Sequence, residues 1–221
     1  MKKIKLILPL IAFALFSCDN YLDINDSPNN PNSSQVTPNL SISAVQTSSY
    51  SVLVRRMNEL GNVFMNNWGA NVNSFTGGYA EEFGITMSNN FYEDVWTTVY
   101  RSTYEYSRII NYPSANYDNH KAIAKIMKSF YFQYLVDMYG DVPFSEAFQP
   151  GVVFQPKLDR QEDLYKIVFA TLEDAIVNLG KTSTYANLGS QDLIYGGDNS
   201  KWIKAANGLL ARYTLRLSFK S

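Results

Sequence analysis

The chain has 221 residues, of which 46 % are apolar and 18 % charged, and its formal net charge is −1. That length and apolar share suit a folded domain with a sizeable core, and the absence of a basic excess excludes a surface built to hold nucleic-acid phosphates. One cysteine, Cys18, and one histidine, His120, exclude an internal disulfide, and they leave too few side chains for a Cys/His zinc site or a Ser-His-Asp triad in good company.

Residues 1–18 read MKKIKLILPLIAFALFSC. Lys2, Lys3 and Lys5 form a positive start, and Leu6 to Phe16 is an apolar run of 11 residues. A bilayer span needs about 20, so the run fits a secretory leader rather than a membrane helix. Leu15, Ser17 and Cys18 stand where a bacterial lipobox has leucine, a small residue and the lipidated cysteine; Phe16 is bulkier than usual between them. The expected processing removes residues 1–17 and makes Cys18 the acylated first residue, and two or more acyl chains give firm anchoring. Residues 18–39 are rich in Asn, Ser, Pro and Asp, with prolines at 28, 31 and 38. Such a segment reads as a flexible tether, and 20 coil-like residues separate their ends by about 25 Å.

From residue 40 to 221 helical periodicity dominates. Ile42, Val45, Leu53, Met57, Leu60 and Phe64 mark a first helix. Residues 66–88, with four glycines and four asparagines, break the pattern as a long loop. A helix over 91–110 follows, with Asn90 and Glu93 in capping-box spacing and Tyr92, Trp96, Val99, Tyr106 and Ile110 on one stripe. Another covers 120–139, with Ile123, Met127, Phe130, Tyr134 and Met138 facing one way and Gly140 as its stop. Prolines 143, 150 and 156 then demand an extended excursion. Asp159 and Glu162 box the start of a helix whose inward residues are Leu164, Ile167, Val168, Leu172, Ile176 and Leu179. A last helix begins near Ser200 and carries Trp202, Ala206, Leu210, Tyr213 and Leu217; Trp202 is expected to pack into the facing hairpin, and Arg212 and Arg216 to meet carboxylates or helix ends. The fold class is therefore mainly α: tetratricopeptide-like helical hairpins with long irregular loops. No Gly or Asn cap follows Leu217, which suggests a truncated chain holding the N-terminal half of a larger domain.

Chemistry is sparse. The carboxylates come as neighbours, Glu81-Glu82, Glu93-Asp94, Glu162-Asp163 and Glu173-Asp174, and mostly on helices. Glycoside hydrolysis needs carboxylates facing each other across a cleft, so the expectation is a binding protein rather than an enzyme. Asp23-Ile24-Asn25-Asp26 lacks the glycine and glutamate of a calcium loop, and no metal or cofactor is expected. The 66–88 loop is the candidate ligand site. Sugars offer apolar C–H faces and polar edges, which call for exposed aromatic planes beside amides. Trp68 and Tyr79, with Phe75, are the candidate stacking platforms, and Asn67 and Asn71 the candidate hydrogen-bonding partners; Trp68 and Phe75 would equally fit as plugs of the core.

Three stretches resemble the SusD/RagB family, above all its second, RagB-like branch: the lipobox with CDNYLDINDSPNNP, then DMYGDVPFSEAFQP leading into PKLDRQEDLYKIVFATLEDAI, then DNSKWIKAANGLLARYTLRLS. They stand in family order over nearly the whole chain, although known members are much longer. Asp19, Asp23 and Asp26 are similar to the surface-export signal of Bacteroidetes lipoproteins. The resemblance implies an outer-membrane, cell-surface lipoprotein that sits on a TonB-dependent transporter and captures oligosaccharide for import. It equally allows peptide capture, as in RagB-like members, or a scaffold-only subunit of the transporter complex.

Overall fold

The computed structural model describes residues 36–69, 88, 90, 93–182 and 188–218. Residues 1–17, Cys18, nearly all of the 18–39 tether, Asn71, Phe75, Tyr79 and the Glu81-Glu82 pair lie outside the described residues.

A proline suits the first turn of a helix, where a missing N–H costs nothing and its fixed φ is already helical. Pro38 accordingly opens α1 (Pro38–Ser51), earlier than the apolar spacing suggests. The chain stays helical through a π-helical stretch, Val52–Met57, into α2 (Asn58–Phe64). The wider π turn re-phases the buried stripe, from Ile42, Val45 and Ser49 to Glu59 and Val63.

In α3 (Glu93–Ile110) the buried side chains are Val95, Val99, Ser102, Thr103, Tyr106, Ser107 and Ile109. Asn90 joins it through its backbone, whose carbonyl accepts the Glu93 N–H at 3.1 Å. Glu93 and Asp94 sit in the first turn of this helix as described, at the positive end of its dipole; Phe91 and Tyr92 lie outside the described residues. A short 3₁₀ turn, Ala115–Tyr117, leads into α4 (Asp118–Tyr139). This helix is buried well beyond one stripe: Ala122, Ile123, Ala124, Ile126, Met127, Tyr131, Phe132, Leu135 and Val136 are all buried. It lies at the centre, packed against α1, α3, α5 and α6. Only Met138, expected inward, is exposed, because the core ends one turn earlier. Gly140 stops the helix as expected, with φ 76° and its N–H bonded to the Val136 carbonyl at 3.0 Å.

α5 (Gln161–Leu179) buries Leu164, Tyr165, Val168, Leu172, Ala175 and Leu179. Ile167, expected inward, lies on the flank and is exposed. α6 (Asn199–Leu217) is capped by Asp198, whose carboxylate accepts the Lys201 N–H at 3.2 Å. α3 packs on α4 and α5 on α6, so the two hairpins form and stack through α4 and α5. The fold is mainly α, and the described residues form a single antiparallel bridge, Val142–Asp159, and no longer ladder.

Candidate functional site

The loop between α4 and α5 is closed at its base. Val142 and Asp159 exchange backbone hydrogen bonds of 3.2 and 3.1 Å. The Asp159 carboxylate, expected to cap α5, turns back into the loop instead, accepting the N–H groups of Phe144 and Ser145 at 2.8 Å each and the Ser145 hydroxyl at 2.7 Å. Burial alone would push this carboxyl up, but the Ser145 and Phe144 hydrogen bonds outweigh it and hold Asp159 below the usual carboxylate range. At the far side, Glu146 accepts the Lys157 N–H at 3.0 Å and pairs with its ammonium at 3.6 Å.

The latched loop folds over α3 and leaves an open, largely apolar groove of about 360 Å³. One wall is the row Trp96, Tyr100 and Tyr104; the other carries Pro143, Pro150 and Pro156. The volume falls at the lower end of small-ligand sites. Behind the groove the rings interlock. Trp96 lies 4.9 Å from Tyr100 and 5.0 Å edge-on to Tyr139. Phe148 sits against Tyr100, Phe132 and Phe144 at 6.0, 6.4 and 5.9 Å. Phe148 has φ 64°, a left-handed conformation that costs about 1–2 kcal/mol for a side-chain-bearing residue. The ring contacts offset that strain. Tyr100 donates to the Pro143 carbonyl at 2.7 Å, and burial pushes its phenol up, so it stays a neutral donor. The Lys128 ammonium lies over Phe144 at 4.8 Å and Phe148 at 4.2 Å. Burial pushes Lys128 down to about 8, while the two ring faces favour its charged form.

Two of the sequence-predicted ligand residues are described. α2 ends in a Schellman turn: Asn66 adopts φ 52°, its N–H reaches the Val63 carbonyl at 3.0 Å, and the Asn67 N–H reaches the Asn62 carbonyl at 2.8 Å. The Trp68 N–H bonds to that same carbonyl at 3.2 Å. This cap holds Asn67 and Trp68 outward; Trp68 is 43 % exposed and is not a core plug. Asn71, Phe75 and Tyr79 fall outside the described residues. The groove itself was missed from sequence, although Trp96, Tyr100 and Tyr104 recur every four residues, a spacing that signals an aromatic ridge.

The remaining expected contacts resolve as structure. Trp202 is buried, but its indole N–H donates to Asp192 at 2.6 Å and its ring meets Tyr195 edge-on at 4.9 Å, so it anchors the turn before α6. Arg216 pairs with Asp137 near the end of α4, and the Arg212 guanidinium lies 5.9 Å from the Tyr134 ring centre. Among the described residues no His/Cys/Asp/Glu group has the arrangement to hold a metal, and no helix is long and apolar enough to cross a membrane.

Comparisons with known proteins place this architecture. The SusD-like family described as starch-binding and associating with the outer membrane matches residues 28–221. A SusD/RagB family protein from Bacteroides thetaiotaomicron aligns with 28 % identity and a TM-score of 0.71 over 84 % of this chain and 39 % of its own. A chitin-binding protein aligns with 30 % identity and a TM-score of 0.64 over 82 % of this chain and 39 % of its own. A SusD-like protein described as Bacteroidetes AC2a aligns with 26 % identity and a TM-score of 0.65 over 83 % of this chain and 34 % of its own. The chain thus spans about two fifths or less of these solved structures. The curated proteins gave no match. The class is a helical-hairpin scaffold, and the chain belongs to the SusD-like family.

Proposed function

We propose that this chain is the N-terminal part of a cell-surface lipoprotein that captures oligosaccharide and passes it, chemically unchanged, to a TonB-dependent outer-membrane transporter. The observation that carries the reading is the open aromatic groove beside α3 in a chain of this family. Aromatic faces match the apolar faces of pyranose rings, and rim groups such as Glu146 and Gln149 match their hydroxyls. The family description and the chitin-binding neighbour support a glycan over a peptide. Acyl chains on Cys18 hold the protein at the outer membrane, with the proline-rich tether as spacer.

A second ligand contact is formed by Trp68 and Asn67 together with Asn71, Phe75 and Tyr79. Trp68 stands outward on a capped turn, as a stacking platform must. Calorimetric titration of the full chain with a panel of neutral oligosaccharides tests the reading. At least one saccharide binds, and Trp68→Ala weakens it by about three- to tenfold with little change in melting temperature. A folded chain silent to the whole panel rejects glycan capture, and binding to extended peptides in its place moves the function to peptide capture. A large loss of melting temperature with unchanged binding rejects the role of Trp68.

A further inference from the structure

We infer that Lys128 is a positioning residue for the groove: its ammonium clamps the Phe148 ring, and through Phe148 it sets the wall that carries Gln149 and Pro150. The effect on the wall is independent of what the groove binds; the effect on affinity rests on the glycan-capture reading above. A lysine withdrawn from water is costly unless a carboxylate stands beside it. Lys125, nearly one turn earlier on α4, has such a partner in Asp174 at 2.5 Å. Lys128 is half-buried, and among the described residues no carboxylate pairs with it. It has rings instead: its Nζ lies 4.2 Å from the Phe148 ring centre and 4.8 Å from that of Phe144. Burial pushes Lys128 down to about 8, so the ammonium persists at neutral pH but at a cost to the fold. An apolar side chain of the same length would fill this place without that cost, so the charge itself needs a role.

The face of an aromatic ring attracts a cation, and more strongly where water is excluded. The ring nearest the ammonium belongs to the strained residue, Phe148, with φ 64°. The backbone at this point decides where the wall goes. Phe148, Gln149 and Pro150 all line the groove. The Gln149 carbonyl then accepts the N–H groups of Val152 and Val153 at 3.1 and 3.3 Å, which closes the turn beyond it. If Phe148 relaxed to the ordinary right-handed region, the chain would leave it in another direction and carry Gln149 and Pro150 away from α3. The Val142–Asp159 latch fixes only the two ends of the loop. Lys128 acts on its middle. The contacts of Phe148 with Tyr100, Phe132 and Phe144 bury area without demanding one orientation. The ammonium demands that the ring present its face.

Lys128→Met in the full chain removes the charge and keeps the length. Amide exchange between Phe144 and Val153 should quicken about tenfold while the helices keep their protection. Affinity for the tightest binder among chitohexaose, cellohexaose and maltohexaose should fall about three- to tenfold. The melting temperature should hold or rise, because a costly half-buried charge is gone. Lys128→Arg, whose guanidinium also stacks on ring faces, should restore exchange and affinity to within about twofold of wild type. A side chain that merely fills space gives the opposite pattern: melting temperature and affinity fall together, and Lys128→Arg does no better than Lys128→Met. That pattern overturns the inference, and so does wild-type exchange across the loop in Lys128→Met. If Lys128→Arg does not fold, the melting temperature and exchange of Lys128→Met decide. If the wild-type chain binds none of the three hexamers, it is the capture reading that is weakened, and the exchange rates alone decide the role of Lys128.

Discussion

Asp192 shows how one buried side chain can join three parts of a chain. It is 2 % exposed and accepts from Gln46 Nε2 at 2.8 Å, the Gly197 N–H at 2.9 Å, the Ile194 N–H at 3.1 Å and Trp202 Nε1 at 2.6 Å. These donors come from α1, from the turn before α6 and from α6 itself. Gly197 completes the turn at φ 75°, and a Cβ there would stand 2.6 Å from the Gly189 nitrogen. Burial works to push the Asp192 carboxyl up, but the Gln46, Gly197, Trp202 and Ile194 donors outweigh it and hold the group below its ordinary value of 3.8. A depressed folded value means that ionised Asp192 stabilises the fold above the unfolded value, and that this share is lost as the pH falls through the folded one. Asp192→Asn is expected to lower stability at neutral pH by about 1–3 kcal/mol, because an amide in that nest brings donors among donors. The gap to wild type should narrow as the pH falls below 3.8. Chemical denaturation of both proteins from pH 7 to pH 2.5 checks this, and a gap that stays constant with pH would assign the loss to packing instead.

At the level of elements, Asp159 ties the base of the α4–α5 loop. Asp159 supplies both the backbone bridge to Val142 and the carboxylate that gathers Phe144 and Ser145. Asp159→Ala keeps the bridge atoms but orphans two N–H groups, so amide exchange across 142–159 should quicken and glycan affinity should drop about tenfold while the helices keep their protection. Protection in the loop equal to wild type would show that the bridge alone holds it. The same residue shows where sequence reading stops. Asp159 and Glu162 have the spacing of a capping box, and nothing local says that the carboxylate will prefer a partner 14 positions upstream. The helices were legible because their signals are local: Gly140 stops α4 and the apolar spacing marks α5 and α6. The π stretch at Val52–Met57 was not, since a 3.6-residue period has no mark for an inserted residue. Of the site, Trp68 and Asn67 could be proposed from a glycine- and asparagine-rich loop, but the groove could not, because half of it is a wall brought back by the Val142–Asp159 pairing.

For the whole molecule, the proposed ligand surfaces and the proposed membrane attachment fall on separate parts of the sequence. The groove and Trp68 belong to the helical body that runs from Thr37, whereas the proposed attachment is a single thiol at residue 18. Each buried methylene adds about 0.8 kcal/mol, so one acyl chain gives marginal, reversible binding and two or more give a stable anchor. If the attachment is lipid alone, removing the sulfur must abolish it, and ligand recognition, proposed for residues from Thr37 onward, should be kept. Cys18→Ser is therefore expected to stop incorporation of labelled palmitate and to move the protein from the membrane fraction into the soluble one. The released protein should bind the same saccharide with wild-type affinity. Two results would break the argument in different places: a Cys18→Ser protein that stays on the membrane unlabelled would mean that a protein surface, and not lipid, makes the attachment, and a released protein that has lost its affinity would mean that anchor and groove are coupled.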